Sequence, residues 1–523
     1  MSWHKLVIKD ALRQLFGRIV SALFGFVITK IIASYLGPLR YGDYGTIFRF
    51  FAWWTALVDF GIYVIAVKQL GQIKNTSYGE GENIPKPEVE SELATTYGKF
   101  VGMRTFLIFI IYTLAIVVAY LIPAYTSNPF IVRGLPLAMC YSASNMFAGI
   151  QQLPLQIFRK MKRLTWSLII ARFSQLFVLI PVVFLFFKNM NFEESGNPDT
   201  MTIFAFALVI FSVVASSIGQ NVEIHLRTKD LLPLKIRFDF SFIKNLLSKN
   251  RKYGFSYFFS SFHTLLVLMF LGWFYPTASG FKYAGIWALA LSLIEILLIV
   301  PSSLGNSLLH KIPHYSAENK KKSLWNLMLL VVWIGVVIAM NFWIFADDII
   351  VFVSSQKFIG TWESFTSWGS NQILPFLGIV LILSFIKQVY NYLFVVLEKQ
   401  NLLFEINLIW VLIGAGVGIW LIPEYGLMWW IITQILIEVI FTLGAIGLGI
   451  KKQLTPQLSK KVWFQLFGIL VFFALMGVGI YYFFLGQWTN IIRFFLVAWV
   501  FNLLLVAASL KPMKKVAKGL TND

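Results

Sequence analysis

Fourteen long apolar runs divide the chain, and they constrain its fold more than anything else in it. They fall near 13–35, 44–67, 100–122, 134–155, 165–187, 201–226, 253–275, 283–309, 323–346, 372–397, 402–422, 426–450, 462–485 and 490–510. Each is long enough to cross a bilayer core, which takes about 20 residues. Inside lipid no water meets the backbone, so a spanning segment must satisfy its own hydrogen bonds as a helix or close into a barrel. The runs are continuously apolar rather than alternating, which selects helices. The chain is 58% hydrophobic and 13% charged, whereas a soluble chain is about half apolar and about a quarter charged. The expected class is an all-α polytopic membrane protein. A polar start, Met1 to Asp10, runs directly into a full-length apolar segment, so no cleaved signal peptide is expected.

The basic residues orient this map. With the N-terminus in the cytoplasm, cytoplasmic segments carry 32 Lys and Arg, and external loops carry five: Arg40, Arg133, Lys188, Lys282 and Lys357. That is the asymmetry of a chain inserted under the positive-inside rule. It explains the net charge of +20 without a nucleic-acid partner. Both termini are expected in the cytoplasm of a multi-pass protein of the inner (cytoplasmic) membrane. The single cysteine, Cys140, leaves no intrachain disulfide.

Spacing suggests an internal repeat. Leu39-Arg40-Tyr41-Gly42 after the first run matches Phe281-Lys282-Tyr283-Ala284 after the seventh, 242 residues on. Six spans between the copies keep their orientation the same, which implies parallel repeats about an axis along the membrane normal. The expected organisation is a six-helix bundle over 1–227, an interfacial linker over 228–252, a second pseudo-symmetric six-helix bundle over 253–450, and a terminal helix pair with a basic tail over 451–523. The linker mixes Phe238, Phe240 and Phe242 with Lys235, Arg237 and Lys244, a composition suited to an anionic lipid surface.

No G-x-x-x-x-G-K-[ST] or H-E-x-x-H motif occurs, and no metal or cofactor is expected. The external loops are too short to hold a sugar acceptor for a glycan polymerase or ligase, so transport is expected rather than catalysis. The chemistry lies in charges within the apolar runs. Each costs about 2.5–3.5 kcal/mol on insertion scales. Arg18, Lys30, Arg49, Arg104 and Arg172 face Asp59 and Glu223 in the first six runs, while Lys387 and Arg493 face Glu295, Glu405 and Glu438 in the rest. Arg104 and Arg493 lie near run ends, where they are expected to snorkel to the headgroups. Arg49 and Asp59 would stand about 80° apart and about 15 Å along a helix, so each is expected to find its partner elsewhere. Gly17, Ser21 and Gly25 make a small-x-x-x-small stripe suited to close helix approach.

The turn Leu36-Gly37-Pro38-Leu39-Arg40-Tyr41-Gly42-Asp43-Tyr44-Gly45, followed by Asp59-Phe60-Gly61, resembles the polysaccharide (Wzx-type) flippases of the multidrug/oligosaccharidyl-lipid/polysaccharide exporter superfamily. The resemblance implies a lipid-linked oligosaccharide substrate on an isoprenoid diphosphate, flipped from the cytoplasmic to the outer leaflet by rocking bundles. Sister classes carry peptidoglycan precursor (lipid II) or export drugs against a cation. Arginine matches phosphate oxygens bidentately. The expected substrate site is therefore Arg18, Lys30, Arg49 and Arg172 with Asp59. Glu295 and Glu438 are candidates for coupling to a proton or sodium ion. Membrane lipids are the other expected partners.

Overall fold

The computed structural model describes residues 3–77, 87–158, 160–188, 199–251, 278–298, 317–361, 367–396 and 427–451, with isolated positions between them. In chain order the helices are α1 (Trp3–Asp59), α2 (Ile62–Ser77), α3 (Pro87–Leu121), α4 (Pro123–Thr126), α5 (Pro129–Gln151), α6 (Leu153–Ile157) and α7 (Met161–Ile180). They continue with α8 (Thr200–Thr228), α9 (Ala278–Leu297), α10 (Ala317–Ile344), α11 (Ala346–Val353), α12 (Ser370–Val396) and α13 (Leu427–Lys451). No strand occurs among the described residues. Six helices there are long and apolar enough to cross a membrane, or seven if a pair bent by 90° between α10 and α11 counts as one span. The runs expected near 253–275, 462–485 and 490–510 lie wholly or largely outside the described residues, and about half of the run near 402–422 does. Two units are formed, Met1–Ala288 with Gln400–Ile419 and Leu289–Lys399 with Trp420–Asp523.

Within the first unit, α1 contains the first expected run and the second as far as Asp59, and the rest of the second run lies in α2. The two arms of α1 meet at Gly37. Its φ of 66° suits a residue without a Cβ, and Pro38 opens the second arm, where a missing N–H does least harm. The turn is a packed corner. Arg40, expected in an external loop, is buried. Its guanidinium donates to Asp43 at 3.0 Å and covers the Phe130 ring at 3.9 Å. The Asn128 amide donates to Asp43 at 2.7 Å, and its carbonyl oxygen accepts from the Phe130 and Ile131 N–H groups, capping α5. The two copies of the repeat signal meet here. A Cβ on Gly42 would collide with the Phe281 carbonyl, and one on Gly285 with that of Pro38.

The second arm ends at Asp59-Phe60-Gly61. Phe60 and Gly61 both take positive φ, 40° and 70°, which breaks the helix before α2. In the second unit, α10 and α12 approach closely where Gly378 faces Ala339 and Gly335 faces Phe385. Asn371 at the start of α12 donates to Asp347 of α11 at 2.7 Å.

Candidate functional site

The small-residue stripe on α1 does what its spacing predicts. Gly17 abuts Thr165 of α7 so closely that a Cβ would overlap it, and Gly25 faces Arg172. Between them the Ser21 hydroxyl accepts from Arg172 Nε at 3.4 Å, while Gln175 Oε1 accepts from the same guanidinium at 3.5 Å. α7 is thereby held against α1 with a partly buried arginine at the seam. Both of these acceptors are neutral, so among the described residues the arginine is oriented without an acidic partner.

Arg49, one turn beyond Tyr44 and Gly45 on α1, is also partly buried. Arg49 and Arg172 both lie within electrostatic reach of the Tyr44 phenol, and Arg172 also of Tyr141 on α5. The rings connect these positions. Tyr44 packs on Phe48 at 4.6 Å, and Phe48 meets Tyr141 edge-on at 5.4 Å. Three helices thus bring two arginines and two phenols into one neighbourhood. Lys30 is partly buried on α1. Arg18 lies in α1, but its side chain falls outside the described residues.

Asp59 has a different place. Its carboxylate accepts from Arg104 of α3 at 2.5 Å, and the same guanidinium donates to the Val58 carbonyl at 3.0 Å. Arg104 is therefore a correction to the snorkelling expectation, since it is only 1% exposed. The helix break explains this. It leaves a carbonyl without an intrahelical donor and a carboxylate beside it, and one guanidinium satisfies both. Tyr112, bonded to Thr55 at 2.7 Å, lies within electrostatic reach of Arg104, Asp59 and Tyr141.

In the second unit Glu438 is fully buried and accepts from Lys387 at 3.1 Å, and Lys387 stands 5.1 Å from the Phe441 ring centre. Glu295, expected near mid-span, is partly buried two residues before the described end of α9. Among the described residues no cluster of three His, Cys, Asp or Glu side chains could hold a metal. His310 and His314 lie outside them. The residues the sequence reading missed are Tyr44, Tyr141, Tyr112 and Gln175. Only Tyr44 carried a signal, as part of the turn.

This all-helical fold is known from solved membrane transporters. Three solved structures share it. A multidrug resistance MATE family transporter of the MOP superfamily, in an inward-facing conformation, is 12% identical, with 85% of this chain and 99% of that one covered at a TM-score of 0.57. The lipid II flippase MurJ, in an inward closed conformation, is 13% identical, with 98% of each chain covered at 0.61. A MOP superfamily transporter from Pyrococcus furiosus is 11% identical, with 85% of this chain and 95% of that one covered at 0.53. No curated protein matches the sequence. The family described as "Polysaccharide biosynthesis protein" matches residues 7–304, more than half of the chain, and the chain belongs to it. It is a multi-pass membrane protein that shares its fold with solved transporters.

Proposed function

We propose that this protein flips a lipid-linked oligosaccharide, carried on an isoprenoid diphosphate, from the cytoplasmic to the outer leaflet for cell-surface polysaccharide synthesis. The observation that carries this reading is Arg172. It is a partly buried arginine whose hydrogen-bond acceptors, Ser21 and Gln175, are neutral, and it shares the Tyr44 neighbourhood with Arg49. A guanidinium oriented by neutral acceptors keeps its charge for an incoming anion, and its planar fork suits a diphosphate. Phenols beside it add donors without adding charge. Family membership supports the polysaccharide pathway. The protein would sit in the cytoplasmic membrane with both termini inside.

Complementation of a flippase-deficient strain tests this. Arg172→Ala and Arg49→Ala should each abolish surface polysaccharide at unchanged protein level, while Arg172→Lys should restore part of it. Full activity of both alanine variants would overturn the anion site. Rescue of a peptidoglycan-precursor flippase mutant instead of the polysaccharide one would move the substrate to lipid II.

A further inference from the structure

After α8 the chain leaves helical geometry over 233–239 and then forms a helix over 240–251. The non-helical stretch is strapped along α3. The Arg237 N–H donates to the Gly98 carbonyl at 3.1 Å, and a Cβ at Gly98 or Gly102 would strike the strap's backbone. Asp239 then closes the strap. It accepts from Lys99 of α3 at 2.8 Å and from the Phe242 N–H at 2.9 Å, capping the 240–251 helix. These two hydrogen bonds, Lys99's first, hold its carboxyl below the usual carboxylate range. Ile243 and Leu246 of that helix are buried in a core with Tyr97 and Phe100.

The other side of the strap carries large apolar groups outward. Ile236 is 49% exposed, Phe238 57% and Phe240 63%. Lys235, Lys244 and Lys249 are exposed on the same segment. Asp239 is the one acid within 231–252, and it is paired with Lys99, so the segment itself carries a net positive charge. The strap's depth argues for lipid. Phe240 packs edge-on against Phe106 at 5.4 Å, inside the apolar stretch of α3, and the next outward residues along α3 are Phe109 and Ile110. Aromatic groups at that level, on a segment that also exposes lysines, match an interfacial segment whose side chains enter acyl chains while ammonium groups meet phosphates.

We infer that the 235–251 strap is a docking surface for anionic glycerophospholipids of the leaflet that the charge asymmetry assigns to the cytoplasm, with Lys235, Lys244 and Lys249 meeting the headgroups and Ile236, Phe238 and Phe240 entering the acyl layer. Binding to lysines at a surface is worth about a factor of five per residue. The full chain, purified in neutral detergent and given equal phosphatidylglycerol and phosphatidylcholine, should retain the anionic lipid preferentially in native mass spectra. Neutralising the three lysines together to Gln should cut that preference at least roughly tenfold, with the unfolding temperature in neutral detergent unchanged. Arg172→Ala should keep the preference, which separates this surface from the substrate site. Soluble glycerol phosphate should not displace the lipid. In a Cys140→Ser background, a nitroxide at Phe238→Cys in vesicles should collide with oxygen rather than with a water-soluble nickel complex. An unchanged preference in the triple variant, displacement by glycerol phosphate, or a nitroxide that meets water or is shielded from both probes as under a protein, would overturn the assignment.

Discussion

A charged residue in an apolar run is a cost to be explained, and the described residues show two uses for it. Asp59 and Arg104 form a closed pair. Removing one partner of such a pair leaves a buried charge and costs about 3–5 kcal/mol. Arg104→Ala should therefore lower stability by about that amount, read as a fall in the thermal unfolding temperature. The double variant with Asp59→Asn should recover part of the loss, because no stranded carboxylate remains. Equal stability of Arg104→Ala and wild type would contradict the pairing. Arg172 is the opposite case, aimed by Ser21 and Gln175 with no acidic partner among the described residues. Sequence flagged both arginines as expensive but assigned Arg104 to the headgroups, since depth along a helix says nothing of a break on the neighbouring one. Nor could it pick out Tyr141 or Tyr112, which are ordinary aromatic residues until α3 and α5 bring them beside α1.

At the level of elements, the turn motif proves to be a packing device. Gly37 supplies the positive φ, Asp43 gathers Arg40 and Asn128, and Gly42 lets the corner touch α9 at Phe281. Local chemistry made Gly37 and Pro38 legible as a helix end, because their backbone limits act wherever they stand. The contact of residues 38–42 with 281–285 was not legible as a contact, although the similarity of the two stretches was. Gly42→Ala should be clearly destabilising, because the obstructing atoms are backbone and cannot rotate away. Gly71→Ala on α2, where a Cβ meets nothing within 4 Å, is the control and should be neutral or slightly stabilising in a helix. Loss of folded yield in the control but not in Gly42→Ala would contradict this packing.

For the whole molecule, apolar run length and charge asymmetry made the class and the expected orientation legible, because both follow from the bilayer rather than from side-chain detail. The orientation predicts that a cysteine at Lys357 reacts with an impermeant reagent added outside, whereas one at Lys518 does not, in a Cys140→Ser background; the reverse pattern would invert the map. Substrate class rests on far fewer residues, Arg172 first among them. The most direct measurement is translocation of a fluorescent isoprenoid-diphosphate oligosaccharide in proteoliposomes, read as loss of protection from an external reagent. Wild type should accelerate it, a neutral lipid with the same glycan should not be moved, and Arg172→Ala should fall to the rate of empty vesicles while folding intact. Equal flipping of the neutral lipid, or undiminished flipping by Arg172→Ala, would contradict the reading of this protein as a diphosphate-gripping flippase.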